Sequence, residues 1–311
     1  MALRYLFRLR IAILILVISA HNLVLAAETY SDHEAYCNKL SFEACGEKFK
    51  KVLANSKPFS VDWYKVSSYQ LDYFYDHQLF EQTLVVTTKL LEQNTLPSVF
   101  KAQVYFYHTK ALNYVGQKKL AKEYASKTKS LLREHFDAFQ DPYRIIEVAN
   151  LYHVFGDGET AVTLLLKAEK HFAHRQDPLF NFEMYGNLAQ AYIAVGEQEK
   201  QRDAWLKALH YAKQTNDSHK IKIAYGGLAY YQKTNSDYQG AYDSYIAALA
   251  VKAPEKSHGS FIRLQINLAE MSLKLGNKSL AQSHFDQIMP ELVQKRNMPR
   301  FNQLAKELAT Y

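Results

Sequence analysis

The chain contains few residues that interrupt helices, with 11 glycines and 7 prolines among 311 residues. An all-β domain needs short alternating segments separated by turns, and the sequence has no such series. Its hydrophobic content of 48% is enough for a substantial core, and a charged content of 22% argues against general disorder. These proportions predict a folded, all-helical protein.

The motifs of common catalytic sites are absent too. There is no Gly-x-Ser-x-Gly elbow, no His-Glu-x-x-His pair, no glycine-rich phosphate loop and no Cys-x-x-Cys. His171 and His174 could share a helical face, but no third metal ligand has suitable spacing. We therefore expect no catalytic residues, no metal and no cofactor, with an enzyme of unrecognised type as the alternative.

Cysteine is nearly absent, since Cys37 and Cys45 are the only two. In an oxidising compartment such a pair predicts a disulfide that joins two short N-terminal helices into a cap. Two buried free thiols are the alternative.

The N-terminus has the three-part pattern of a secretory signal peptide. Arginines precede an apolar run from Ile11 to Ala20, and small residues follow around Ala26. We expect residues 1–26 to be removed and the rest to lie in the periplasm of a Gram-negative envelope or to be secreted. An uncleaved membrane anchor is the alternative, and it would also export the remainder.

The charge excess is modest. The formal net charge is +7, and it falls to +4 when the three arginines of residues 1–26, which contain no acidic residue, are removed. No basic stripe interleaved with aromatics is present, so we expect neither a nucleic-acid partner nor a membrane partner after cleavage.

A repeat dominates the remaining sequence. Glycine recurs at a constant spacing at Gly116, Gly156 and Gly196, and again at Gly276 after one repeat without it. In that repeat Ser236 stands at the equivalent position. Seven residues before these turns stand small residues: Ala149, Ala189, Ala229 and Ala269. Two further columns follow the turns at fixed distances. One is small and consists of Ala121, Ala161, Ala241 and Ala281. The other is large and apolar or aromatic, and it consists of Leu165, Trp205, Tyr245 and Phe285. Antiparallel helices approach closely only where side chains are small, so these columns predict stacked helix pairs with glycine at each turn.

The segment from Asn187 to Gly196, continued by Trp205 and Ala208, resembles the tetratricopeptide repeat. The period of this sequence is longer than that of the family, at about 40 residues against about 34. The resemblance implies an all-α, right-handed α-solenoid of antiparallel helix pairs.

We divide the chain accordingly. Residues 27–56 form an N-terminal helical cap, residues 57–297 form six helix pairs, and residues 298–311 form a C-terminal capping helix. The first pair is degenerate, with Asp76 at the glycine position.

In such a stack the first helix of each pair faces a concave groove. Six residues before the turns, polar side chains recur: Gln70, Lys110, Asn150, Gln190, Tyr230 and Glu270. We expect this column to face solvent, because a core position would not be polar six times. With the polar residues three before the turns, it predicts the following partner-binding groove: Lys110, Asn113, Asn150, His153, Gln190, Tyr230 and Lys233.

Two finer interpretations concern this groove. Lys110 and Asn113, with Asn150 one repeat later, partly resemble the clamp by which some repeats of this kind bind acidic peptide termini. Gly186 and Gly226, inside helices, indicate either a close helix crossing or a shallow pocket bordered by Gln190, Tyr230 and Lys233; we favour the crossing.

The sequence therefore predicts an exported scaffold that binds a protein or peptide in its groove. The alternative is signalling, because the chain also resembles the periplasmic sensory regions that precede GGDEF diguanylate cyclase domains. In that case it would be a free-standing sensory or regulatory protein.

Overall fold

The computed structural model describes residues 33–37, 40–252 and 258–309. The described residues form fifteen α-helices and three short 3₁₀ turns, with no β-strand among them. The predicted signal peptide, residues 1–26, lies outside the described residues. Of the helices in the described part, none is both long and apolar enough to cross a membrane.

Two short helices begin the described chain, α1 (His33–Cys37) and α2 (Phe42–Asn55). A disulfide joins Cys37 to Cys45, as predicted, with the Cα atoms 5.4 Å apart. Phe49 of α2 is fully buried, and its ring contacts those of Tyr36 and Tyr73. The aromatic contacts attach the cap to the next helix, which carries Tyr73.

Six antiparallel helix pairs follow, and a final helix ends the described chain. The bounds are α3 (Val61–Asp76) with α4 (Phe80–Leu91), α5 (Ser98–Tyr114) with α6 (Lys118–Phe139), α7 (Pro142–Val154) with α8 (Gly158–Phe172), α9 (Pro178–Val195) with α10 (Gln198–Thr215), α11 (Ser218–Thr234) with α12 (Tyr238–Ala250), α13 (His258–Lys274) with α14 (Lys278–Phe285), and α15 (Met298–Ala309). The predicted all-α solenoid of helix pairs is confirmed.

The pairs turn where the backbone adopts the left-handed conformation that glycine takes without strain. Gly116, Gly156, Gly196 and Gly276 have φ angles of 86°, 94°, 75° and 74°. Ser236, at the position without a glycine, has φ of 61°. The turn positions predicted from the glycine spacing are therefore confirmed for these pairs.

The turn of the first pair was predicted wrongly. Its left-handed residue is Gln78, with φ of 62°, whereas Asp76 is the last residue of α3. Counting back one full repeat from Gly116 leads to Asp76, so the constant spacing places this turn two positions too early. The residues six and three before this turn are accordingly Asp72 and Tyr75.

Acidic caps begin several first helices. The carboxylate of Asp141 accepts a backbone N–H bond at the start of α7, and that of Asp177 accepts two at the start of α9. Pro142 and Pro178 are the first residues of these helices, where the missing N–H costs nothing. Pro254, which we also place between pairs, lies outside the described residues.

The alanine columns are the contact lines between helices. No side chain in the column seven before the turns is exposed at all: Ala149, Ala189, Ala229 and Ala269. Three aromatic residues, Tyr192 of α9, Trp205 of α10 and Tyr245 of α12, are buried as well and belong to the core. Burying these columns lets each pair cover the apolar face of the one before it.

The stack curves until its first and fifth pairs meet. His219 at the start of α11 lies 3.9 Å from Asp76 at the end of α3, measured from Nε2 to Oδ2. At the other end, Arg300 of α15 donates two hydrogen bonds to Glu270, and Phe301 stacks on Phe285. The solenoid therefore encloses an interior, and α15 covers its last pair.

The close helix crossing expected at Gly186 and Gly226 occurs at Gly227 instead. A Cβ atom on Gly227 would lie 2.4 Å from the ring of Trp205, which projects from α10 against α11. A Cβ on Gly186 would meet the same ring at 3.9 Å, an ordinary contact, and one on Gly226 would meet nothing within 4 Å. Of these three glycines, only Gly227 is required by packing.

Replacing Gly227 by Ala should destabilise the protein by about 1–3 kcal/mol, because the methyl group overlaps the Trp205 ring. The neighbouring Gly226→Ala change is the matched control. It should be neutral or stabilising by up to about 1 kcal/mol, since it enters open space in a helix interior. Urea unfolding followed by circular dichroism measures both, and equal effects of the two changes would contradict the packing described.

Candidate functional site

A cavity of about 540 Å³ lies inside the curve of the solenoid. Its walls come from the first helices of five successive pairs, α3, α5, α7, α9 and α11, together with His33 of α1. Side chains three, four and seven residues apart share one face of a helix, so each first helix contributes a short row of residues. The concave surface predicted from sequence is thus a partly enclosed cavity.

A chain of hydrogen bonds crosses one wall of this cavity. The ammonium of Lys110 donates to the side-chain oxygen of Asn150 at 2.6 Å, and the Asn150 amide donates to Asn187 at 2.6 Å. The Asn187 amide in turn donates to the backbone oxygen of Glu183 at 2.8 Å. These bonds connect α5, α7 and α9 and fix the orientation of Asn150 and Asn187, both of which line the cavity.

The expectation that the whole polar column faces solvent is wrong for Lys110. Only 4% of this residue is exposed, and burial lowers its pKa to about 8. Its ammonium is bound to Asn150 and lies 5.6 Å from the ring of Tyr75. Lys110 therefore stabilises the wall, and it does not present a free cation with Asn113, which is half-buried.

The remaining predicted groove residues are not brought together. Gln190 and Tyr230 are exposed, but neither lines the cavity. Lys233 forms an ion pair with Glu270, which also binds Arg300. Gln190, Tyr230 and Lys233 therefore lie outside the cavity.

His153 lies behind the wall beside Lys110 and Asn187. Burial and the nearby Lys110 ammonium lower its pKa to about 4, while Asn187 acts in the opposite direction. Its Nε2 atom is buried without a hydrogen-bond partner. His153 is therefore neutral at neutral pH, and it adds bulk to the wall of the cavity without adding charge.

The sequence prediction missed the carboxyl groups of the cavity. Asp72, Asp76, Glu147 and Glu183 all line it. Asp72 accepts hydrogen bonds from the Tyr107 hydroxyl at 2.5 Å and from the Gln103 amide at 3.1 Å. The interior is therefore acidic and aromatic where the sequence pattern indicated amides and lysine.

Burial raises the pKa values of three of these carboxyl groups, Asp76, Glu147 and Glu183. The pKa of Asp76 is raised well above its usual value, first by burial and next by Asp72. Burial raises the pKa of Glu147 to about 7, although Arg144 acts against it, and burial also raises the pKa of Glu183. Each group is costly to ionise unless a compensating cation lies beside it.

Three histidines surround Asp76 where the first and fifth pairs meet. His33 Nδ1 lies 3.7 Å from the Asp76 carboxylate, and the His77 ring lies 6.4 Å from that of His219. Burial lowers their pKa values to about 3 for His33 and about 4 for His77 and His219. They are neutral at neutral pH and add no positive charge to the interior.

One signal in the sequence could have located part of this wall. Nine residues before the turns stand Tyr107, Glu147 and Asn187, three polar side chains that are each separated by one full repeat. All three line the cavity. With the turn of the first pair at Gln78, the equivalent residue of α3 is Tyr69, which also lines the cavity, whereas Asp72 and Asp76 stand at other positions relative to the turn.

The site offers no recognisable metal centre. Within the described part of the chain, no group of three or more His, Cys, Asp or Glu side chains is arranged to hold a metal ion. The arrangement combines oriented amides, carboxyl groups and aromatic rings around a cavity.

Replacing Asn150 by Ala should destabilise the protein by about 1–3 kcal/mol, because the buried Lys110 ammonium loses its acceptor. Gln190→Ala, in the same column one pair later, is the control and should change stability by less than about 0.5 kcal/mol. Thermal and urea unfolding test this. A stability loss no larger for Asn150 than for Gln190 would show that the hydrogen-bond chain contributes nothing.

Comparisons with known proteins establish the fold. No protein-family model and no curated protein matches the sequence. Among solved structures, a tetratricopeptide repeat protein from Parabacteroides merdae aligns over 85% of this chain and 92% of its own, with a TM-score of 0.50 and 11% identity.

Two further structures are of complexes. A Rap protein complexed with Competence and Sporulation Factor aligns over 88% of this chain and 75% of its own, with a TM-score of 0.52 and 14% identity. NprR in complex with its cognate peptide NprX aligns over 86% and 76%, with a TM-score of 0.51 and 15% identity. The described chain therefore has the fold of a tetratricopeptide-like α-solenoid.

Proposed function

We propose that the protein is a scaffold that binds an extended protein or peptide segment along its concave side. The observation that carries this proposal is the cavity of about 540 Å³, to which five successive helix pairs contribute side chains. Its size lies in the range of about 300–1,000 Å³ that is usual for ligand pockets. A segment entering it would contact residues from α3 to α11 at once.

The lining suits a peptide. Asn150 and Asn187 are held in place by the hydrogen bonds from Lys110 to Glu183, and amide side chains can both donate to and accept from a peptide backbone. Ile223 of α11 lines the cavity and is 39% exposed, and Tyr230 of the same helix, outside the lining, is 46% exposed. Partly exposed apolar and aromatic side chains of this kind commonly anchor partners.

The similar structures support the same class of function by analogy. NprR was solved with its cognate peptide NprX, and the Rap protein with Competence and Sporulation Factor. Fold similarity does not transfer a ligand, so the partner here is defined by the chemistry of this cavity.

We place the working protein outside the cytoplasm, in the periplasm or secreted. Two observations support this location: the signal-peptide pattern of residues 1–26 and the disulfide between Cys37 and Cys45, which is favoured in oxidising compartments. The sensory alternative has no specific support from the cavity or from the structures compared above.

Selection from a display library of random dodecapeptides, followed by fluorescence anisotropy, tests the proposal. Peptides selected on the purified protein should lose about tenfold in affinity, or more, when Ile223→Ala and Tyr230→Ala are combined. The matched control is Leu206→Ala, which removes a 47% exposed apolar side chain from the second helix α10.

Selected peptides that lose affinity with Leu206→Ala but not with the α11 double variant would place binding on the outer surface and contradict the proposal. Failure to select any peptide would contradict it as well. Unfolding curves of all three proteins should coincide, because the removed side chains are exposed.

A further inference from the structure

The cavity carries more acidic than basic groups. Four carboxyl groups line it, from Asp72, Asp76, Glu147 and Glu183, whereas its basic side chains in the described residues are those of Arg144 and Lys220. The lining histidines, His33 and His219, are neutral at neutral pH, as described above.

Both lining cations are already paired with carboxylates. Arg144 donates to Asp141 at 3.0 Å and to Glu147 at 2.6 Å, and only 18% of its side chain is exposed. Lys220 is hydrogen-bonded to Asp217, the capping residue of α11. Neither cation is therefore available in full to Asp76 or Glu183.

Glu183 depends on a cation that it shares with Asp217. It projects from α9 into the cavity, and the charged groups that act on it are Lys220, which favours its ionised form, and Asp217, which opposes it. Asp76 lies across the interior on α3. Lys220 favours its ionised form too, whereas Asp72, Glu183 and Asp217 oppose it. A cation placed between α3 and α9 would favour ionisation of both.

Aromatic rings form much of the remaining wall. Tyr69, Tyr75, Phe106, Tyr107, Tyr143 and Phe182 line the same cavity. The face of an aromatic ring attracts a cation that lies within about 6 Å of it, and more strongly when water is excluded. The molecule already uses this contact nearby, since the Lys110 ammonium lies 5.6 Å from the Tyr75 ring and 5.8 Å from Phe106.

We propose that the cavity binds an alkylammonium or guanidinium group, presented as a lysine or arginine side chain by the segment that lies along the concave side. This inference rests on the proposed function and names its partner chemistry. It is opposite in sign to the acidic-terminus clamp indicated by Lys110 and Asn113. The enclosed space, the ring faces and the undercompensated carboxyl groups together select a cation.

Three pools of acetylated, amidated heptapeptides test the inference. The flanking positions are randomised among uncharged residues, and the central residue is lysine, norleucine or glutamate. Fluorescence anisotropy with the purified full-length protein should show the lysine pool binding tighter than the norleucine pool by about tenfold or more, and the glutamate pool weakest. An arginine pool compared with a citrulline pool repeats the measurement for guanidinium.

The ratio of lysine-pool to norleucine-pool affinity is the diagnostic quantity, because a merely structural change would weaken both pools alike. Glu183→Gln and Asp76→Asn should each reduce this ratio by about threefold or more. Glu159→Gln, which changes an exposed carboxyl group in the first turn of α8, should leave it unchanged.

The ratio should also rise between about pH 6 and about pH 7, because Glu147, whose pKa burial raises to about 7, becomes increasingly ionised in this interval. The groups facing one another here are Asp72, Asp76, Asp141, Glu147, Glu183, Asp217, Arg144 and Lys220, with Lys110 at one end. Lys110 stays charged over this interval, and the lining histidines stay neutral. Glu147→Gln should flatten the dependence.

The outcomes separate this inference from the proposed function. Equal binding of the lysine and norleucine pools, or a preference for glutamate, overturns the inference while a peptide scaffold stands. If no pool binds but spermidine does, measured by calorimetry, the cation chemistry is upheld and the peptide scaffold fails. Binding of neither peptides nor spermidine overturns both.

Discussion

Each helix pair leaves an apolar face that only the next pair can cover, and the closeness of that contact determines the rest of the structure. Ala149, Ala189 and Ala229 have no exposed surface, and the Trp205 ring lies where a Cβ on Gly227 could not fit. Because successive pairs pack in the same way, their small offsets accumulate into a curve. That curve brings α3 opposite α11 and creates the cavity.

The turns could be predicted because a left-handed residue is usually glycine, and four of the six turns follow that rule. Ser236 could be predicted as a turn residue only from the repeat spacing. Gln78 has no such signature, so the first turn was assigned to Asp76. Because of this error of two residues, the predicted groove column contains Gln70 instead of Asp72. The acidic side of the cavity is therefore not predicted.

Contacts across the interior could not be predicted at all, because they depend on the accumulated curvature and not on any local pattern. Asp76 and His219 belong to the first and fifth pairs, far apart in the sequence, yet they lie 3.9 Å apart in space. Lys110 shows the same limit: its place in a polar column indicated exposure, yet its ammonium is buried and bound to Asn150. A polar column therefore indicates which residues lie on the inner side of the solenoid. It does not show which of them are exposed and which are buried.

The function proposed here depends on a segment lying inside the curve, next to the carboxyl groups of α3, α7 and α9. Photocrosslinking in cells from a benzophenone residue at position 223, which lines the cavity, tests this most directly when compared with position 206 on α10. We expect discrete adducts from position 223 whose mapped segment contains lysine or arginine, and none of these from position 206. Adducts formed only from position 206 would contradict binding on the concave side.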